Sequence, residues 1–279
     1  MTLLAVVELG RGPVPLDTPV LHADDEGMLR GRAVFETLRV YGGAAFRLEQ
    51  HLDRLAGSAA RVGLEAPDRA GFTAAASDAV AAAAEDDLVL RLLWSAGREG
   101  VGRPIGFALA STLPAGLEEL RARGLHLEVV EWSPGMLAGA KSTSYAANMA
   151  AQARAQAHGA DDALLVDPAG VVLEAPTSNV WLREGDRLVT PTLELPILAG
   201  ITRAALLELA PSAGYAVEEA VVVLDRLAAA EEAFTSSSVR EVMPVTAIGG
   251  ASVGDGAPGP AAAALQRALR AAAGYPLVA

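Results

Sequence analysis

The chain contains no cysteine in 279 residues, which excludes a disulfide scaffold, a thiol nucleophile and any cysteine-ligated metal. It is also short of positive charge. Its 22 Lys and Arg stand against 34 Asp and Glu, a formal net charge of −12 with a pI near 4.8. Proteins that hold a phosphate backbone display an excess of Lys and Arg on one face, so no nucleic-acid partner is expected. An anionic small molecule has to be met here by individually placed arginines. Long apolar runs are lacking too, because the Ala-rich stretches are broken well before a membrane-spanning length, and residues 1–8 carry no basic leader. A soluble cytoplasmic protein with no membrane partner is the expectation. The four histidines, His22, His51, His126 and His158, show no metal-ligand spacing, and no fixed-period repeat runs along the chain.

What is present can build a sizeable core. A hydrophobic content of 52% over this length allows one large or two modest domains. Residues 33–40 are β-rich, 41–44 supply a hairpin turn and 45–48 return as a second strand. Leu52, Leu55, Ala59 and Val62 then recur at helical spacing up to a stop at Gly63, and residues 68–84 predict a second helix. Strands are expected near 88–95, 106–112, 125–131, 180–182 and 188–189, and a hairpin over 163–166 and 171–173 is joined by Asp167-Pro168-Ala169-Gly170. A helix is expected over 145–158 and another from about 201. Residues 251–260 are rich in Gly and Pro and read as a mobile segment before a last surface helix. The pattern predicts an α+β architecture with an N-terminal domain over 1–113, a linker over 114–118 and a larger domain over 119–279 that carries Lys141, with a ligand cleft between them.

Two residues carry the chemistry. Lys141 lies in Gly139-Ala140-Lys141-Ser142-Thr143-Ser144-Tyr145, between a loop and an Ala-rich helix, where an amine shielded from water becomes a usable nucleophile. Glu174 ends the strand-like run Val171-Val172-Leu173-Glu174, and a carboxylate facing a pyridine nitrogen keeps that nitrogen protonated. Alone, a Lys and a Glu are ordinary surface charges; the motifs around them give them meaning. These are Leu29-Arg30-Gly31-Arg32-Ala33-Val34-Phe35-Glu36-Thr37-Leu38-Arg39, His51-Leu52-Asp53-Arg54-Leu55, the Lys141 segment, Leu173-Glu174-Ala175-Pro176-Thr177-Ser178-Asn179, Ile197-Leu198-Ala199-Gly200-Ile201-Thr202-Arg203, and Ser236-Ser237-Ser238-Val239-Arg240-Glu241-Val242.

In this order the motifs resemble the class IV aminotransferase family of fold-type IV pyridoxal phosphate enzymes, which includes branched-chain and D-amino-acid aminotransferases and 4-amino-4-deoxychorismate lyases. The resemblance implies that Lys141 holds the aldehyde of pyridoxal 5'-phosphate and carries the substrate's Cα proton, while Glu174 holds the ring nitrogen. It places the phosphate on Arg54, Ser238 and the helix start at Ile201 and Thr202, where unpaired N–H groups and a positive dipole end attract an anion. Tyr145, about one helical turn from Lys141, is set against the ring hydroxyl, and Asn179 beside Glu174. The flavour of the Lys141 and Ser238 segments is nearest the lyases, whose products would be 4-aminobenzoate and pyruvate. D-amino-acid or branched-chain transamination is the alternative outcome, and a scaffold that retains the fold without catalysis is a third. Relatives often carry Thr-Arg-Gly where this chain has Ser95-Ala96-Gly97, so another arginine has to meet a substrate carboxylate: Arg30, Arg91, Arg98 or Arg240, with Phe35 a further pocket candidate. A homodimer is also implied.

Overall fold

The computed structural model describes residues 1–275. Its backbone contacts divide the chain into two compact units, the first formed by Met1–Ala115 with Gly139–Tyr145 and the second by Gly116–Ala138 with Ala146–Ala279.

The first unit is an antiparallel sheet with helices on one face. Its strands are β1 (Leu3–Glu8), β2 (Gly12–Val14), β3 (Ala33–Tyr41), β4 (Ala44–Ala45), β5 (Leu88–Ser95) and β6 (Ile105–Ser111), in the order β2-β1-β6-β5-β3-β4. Helices α1 (Glu26–Arg30), α2 (Leu48–Val62) and α3 (Arg69–Ala83) complete it. Alternation along the strands decides which side is covered. Val34, Leu38 and Val40 of β3, Leu90 and Leu92 of β5, and Ala108 and Ala110 of β6 form one core with Leu52 and Leu55 of α2 and Phe72, Ala75 and Ala79 of α3. α2 stops at Gly63, whose φ of 71° lets its N–H bond back to Ala59 and Ala60. α3 starts at Asp68, whose carboxylate accepts from the Gly71 N–H. The strand expected over 45–48 is only the two residues of β4, because Leu48 already opens α2.

The second unit is built on a mixed sheet. Its elements are α4 (Leu117–Arg123), β7 (Leu125–Glu131), α5 (Ala146–Ala157), β8 (Asp162–Val166), β9 (Asn179–Glu184), β10 (Arg187–Pro191), α6 (Ile201–Leu209), β11 (Ala216–Ala220), α7 (Leu224–Ala228), β12 (Glu232–Ser237), β13 (Glu241–Ile248), β14 (Ala251–Ser252) and α8 (Pro260–Ala272). The order is β11-β10-β9-β12-β13-β7-β8, with β14 beside β13. Parallel pairing of β10 with β11 and of β7 with β8 and β13 requires crossovers, which the helical connections supply. The α+β expectation holds in both units.

Two sequence expectations change. The 251–260 segment is anchored, since Val253 is buried and its N–H bonds to the Thr246 carbonyl. The last helix packs on the surface of the second unit as expected, burying Ala261, Ala262, Leu265, Gln266 and Leu269 on one face. Residues 139–145 pack with the first unit rather than with the C-terminal domain assigned to Lys141. The cause is strand addition. β4 covers only Val40 and Tyr41 of β3, which leaves the edge at Ala33–Phe35 open, and residues 141–143 pair with it.

Candidate active site

In the first unit, Lys141 is fixed by its backbone. Its carbonyl accepts from Phe35 N–H at 2.9 Å, its own N–H donates to Ser58 Oγ of α2 at 3.0 Å, and Ser142 bridges to Val34. The side chain is thereby held on the sheet face that α2 and α3 leave uncovered, with Nζ 4.6 Å from the centre of the Phe35 ring. Tyr145 stands beside both: its ring meets Phe35 edge-on at 5.6 Å and lies 6.0 Å from Lys141 Nζ. The helix expected to begin at Tyr145 begins at Ala146. Lys141 and Tyr145 therefore meet through a non-helical segment and not across a helical turn, because residues 141–143 are drawn out to pair with β3.

Beneath this segment lies a buried charge network that the sequence reading passed over. Glu36 is fully buried on the apolar side of β3, at 0% exposure between Val34 and Leu38. Its Oε1 accepts from Arg54 Nε at 2.8 Å, and its Oε2 from Arg54 Nη2 at 2.6 Å and His51 Nδ1 at 2.6 Å. Burial opposes the Glu36 charge, but the Arg54 charge and hydrogen bonds, with His51, outweigh it and hold the carboxyl at about 2. His51 is kept below the ordinary imidazole value by burial, partly offset by its bond to Glu36; the Arg54 and Lys141 charges press in the same direction as burial. The signal was available: an acid at an apolar-face position of a strand demands a buried partner.

In the second unit, Glu174 follows the hairpin after β8. Its Oε2 accepts from the Leu198 N–H at 3.1 Å and from Asn179 Nδ2 at 3.3 Å, and Asn179 Nδ2 also donates to the Leu198 carbonyl at 2.9 Å. The carboxylate is thus held by two neighbouring chain segments. Leu198, reached only through its backbone, leaves no side-chain signal to read. Gly200 opens α6 with no side-chain cap, so the first N–H groups of Ile201 and Thr202 are not capped by it. A Cβ at Gly200 would collide with Asn179 Oδ1 and crowd Arg203 Cβ, so the glycine lets α6 start directly against the Glu174 clamp. Thr202 is buried, and the buried Ser178 Oγ has no hydrogen-bond partner among the described residues. Ser238 lies in the turn between β12 and β13, where Ser236 Oγ is taken by Trp181 Nε1 and Ser237 Oγ by the Arg240 N–H.

The arginines considered for a substrate carboxylate divide sharply. Arg30 pairs with Glu99, Arg98 with Asp24 at 2.9 Å, and Arg240 with the buried Asp162 at 2.6 Å. Among the described residues no group of His, Asp and Glu could hold a metal ion, and no helix is long and apolar enough to cross a membrane.

With these arrangements in view, the comparison with known proteins is direct. The family model for amino-transferase class IV matches residues 33–248. A bifunctional aminodeoxychorismate lyase / D-amino acid transaminase of Mycobacterium tuberculosis is 39% identical over 216 residues, covering 71% of this chain and 75% of that protein. A D-alanine aminotransferase of Bacillus licheniformis is 31% identical, covering 88% of this chain and 89% of its own. A solved structure of a hypothetical aminotransferase from Mycobacterium tuberculosis in its PLP-bound form superposes with a TM-score of 0.90 at 32% identity, over 96% of this chain and 98% of that one. The chain belongs to the class IV aminotransferases, a family of pyridoxal phosphate-dependent enzymes with the fold-type IV architecture.

Proposed function

We propose that this enzyme is a 4-amino-4-deoxychorismate lyase that releases 4-aminobenzoate and pyruvate, with Lys141 as its catalytic residue. The observation that carries the choice of substrate is the 39% identity to a relative named for that activity. The same relative's name includes D-amino acid transamination, and the Bacillus relative's is D-alanine transamination, so transamination of D-amino acids is the second reading. The two share every step up to removal of the Cα proton.

The residues present suit pyridoxal phosphate. A nucleophilic amine rests beside two aromatic rings, a carboxylate is fixed by two donors, and the uncapped start of α6 with buried Thr202 offers donors for a dianion. When bound, the cofactor supplies an electron sink for a substrate carbanion. Lys141 Nζ would hold its aldehyde carbon and take the substrate's Cα proton. Glu174, steadied by Asn179 and the Leu198 N–H, keeps a proton on the ring nitrogen. Ile201 and Thr202 N–H groups, the Thr202 hydroxyl, Ser238 and Arg54 hold the phosphate; Arg54 is aligned for this by its two-point bond to Glu36. Tyr145 would meet the ring hydroxyl. In the lyase, Lys141 would pass that proton to the oxygen departing from the neighbouring carbon, while the electron pair left by the proton forms the new double bond; in the transaminase, Lys141 would carry the proton away from Cα and release it on the cofactor side. The working assembly in this reading is a homodimer located in the cytoplasm.

The purified protein is expected to absorb near the visible edge, and borohydride is expected to fix the cofactor on Lys141, read by peptide mass. Product assays then separate the outcomes: release of 4-aminobenzoate supports the lyase, whereas amination of keto acids by D-alanine or D-glutamate with no aromatic product replaces it with the transaminase.

A further inference from the structure

We propose that Glu241 is a positioning residue for the cofactor phosphate: its buried carboxylate fixes the turn between β12 and β13 at its base and so sets the Ser238 hydroxyl, a role that rests on the reading of Ser238 as a phosphate contact. The backbone of the turn carries it. Ser237 pairs with Glu241 across the hairpin, so Ser238, Val239 and Arg240 form a three-residue loop that Glu241 closes at a φ of 57°. A loop of this length ends on a left-handed residue, and glycine is the usual choice because a Cβ is strained there. Here the position holds a glutamate whose side chain is fully buried. Strain of this kind persists only where the surroundings over-determine it.

Those surroundings are a clamp from two helices. Glu241 Oε2 accepts from Gln266 Nε2 and Arg270 Nη2 of α8, each at 2.7 Å, and from Arg121 Nη2 of α4 at 3.1 Å. Two of the same side chains then take hold of the main chain around it. Arg121 donates from Nη2 to the Arg240 carbonyl at 3.0 Å and from Nε to the Val242 carbonyl at 3.1 Å, and Gln266 Oε1 accepts from the Val242 N–H at 2.9 Å. The end of the turn is therefore bonded through carbonyl, carboxylate and N–H at once. Its serines divide accordingly. Ser236 Oγ accepts from Trp181 and Ser237 Oγ from the Arg240 N–H, whereas the half-buried Ser238 hydroxyl bonds to nothing among the described residues. One hydroxyl is left over on a turn anchored at its base, and a preorganised anion contact needs such a support.

The test compares two ligands that differ only in the phosphate, pyridoxal 5'-phosphate and pyridoxal, on the full chain freed of cofactor. Glu241→Gly keeps the left-handed backbone and removes the clamp, so a role in backbone conformation alone predicts no loss. The proposal predicts a dissociation constant roughly 10-fold weaker for pyridoxal 5'-phosphate in equilibrium dialysis, with pyridoxal within about twofold of the unaltered protein. In a Ser238→Ala background the same change is expected to add nothing, since Glu241 acts through that hydroxyl. The variant is expected to fold, because Glu118 still stands 2.6 Å from both Arg121 and Arg270. Arg121→Met, which drops both carbonyl contacts, is expected to show the same phosphate-selective loss and decides by the same criteria should Glu241→Gly fail to fold. An unchanged constant in Glu241→Gly, equal losses for both ligands, or an undiminished loss in the Ser238→Ala background overturns the proposal. Ser238→Ala by itself reports on the underlying reading: an unchanged constant there ends the placing of the phosphate on Ser238 and this proposal with it, whereas a weakened constant there with none in Glu241→Gly ends this proposal alone.

Discussion

Arg54 grips Glu36 at two points, Nε on Oε1 at 2.8 Å and Nη2 on Oε2 at 2.6 Å, at the bottom of the helix-covered face that also carries His51 and Ser58. The pair is shielded from water, with Glu36 at 0% and Arg54 at 12% side-chain exposure. An arginine so fixed has no freedom left in its fork, which makes it a rigid donor.

Replacing Glu36 by Gln keeps the shape and removes the charge, so Arg54 is left as a shielded cation without its counterion. A stability loss of about 3 to 5 kcal/mol is expected in urea unfolding. The double change Glu36→Gln with Arg54→Met is expected to cost less than the two single changes added together. Additive losses would show that the pair is not coupled.

Acid should unfold the protein in two stages. His51 has a depressed folded pKa, so the folded form binds fewer protons than the unfolded form, and its contribution is complete above the unfolded value near 6.5 and declines below it. Glu36 is lowered from 4.5 to about 2, so its contribution is complete above 4.5 and is lost as pH falls toward 2. Urea midpoints across pH 8 to 3 are expected to fall in both windows. In a His51→Gln variant the upper decline should vanish and the lower one remain.

Asn179→Ala frees one side of the Glu174 carboxylate and leaves the Leu198 carbonyl without its donor. Cofactor affinity is expected to drop roughly 10-fold, the usual scale for losing a group that orients a ligand-holding side chain. Equilibrium dialysis of cofactor against the apo-protein measures it, and an unchanged constant would remove Asn179 from the site.

Gly200→Ala adds a methyl group against Asn179 Oδ1. The backbone there has φ of −68°, a conformation open to alanine, so any harm comes from the collision and not from strain. The start of α6 and the Asn179 amide must shift apart. Cofactor binding is expected to fall by more than thermal stability does, and the reverse order would show that this contact serves folding alone.

Arg240→Ala is expected to behave as a stability mutation. It strips the buried Asp162 of its guanidinium, leaving Gln152 and the Ala163 N–H as donors, at a cost of about 3 kcal/mol. KM for the substrate should stay within about twofold, since the guanidinium is already committed to Asp162. A large KM rise with no loss of stability would instead give Arg240 a part in substrate binding.

Much of the proposed site rests on local sequence. The Lys141 segment, the run ending in Glu174 and the Gly200-Ile201-Thr202 helix start each announce themselves through residue type and neighbours within one turn or hairpin. Glu36 was harder to see, although its place among Val34, Leu38 and Val40 marked it as an acid turned inward. Leu198 could not be found that way, since it acts through an N–H that every residue but proline possesses. Nor could the true start of α5 at Ala146, because pairing of residues 141–143 with β3 outweighs local helix preference.

By itself, the sequence determined the family and the α+β alternation, because residue type, motif order and short-range spacing are all local properties of the chain. Tertiary structure alone decided which of the candidate arginines are already neutralised by acids of this chain. That choice depends on strand register and on the placing of Glu99, Asp24 and Asp162 far along the chain, and charge compensation is set by distance in space, which sequence separation does not record.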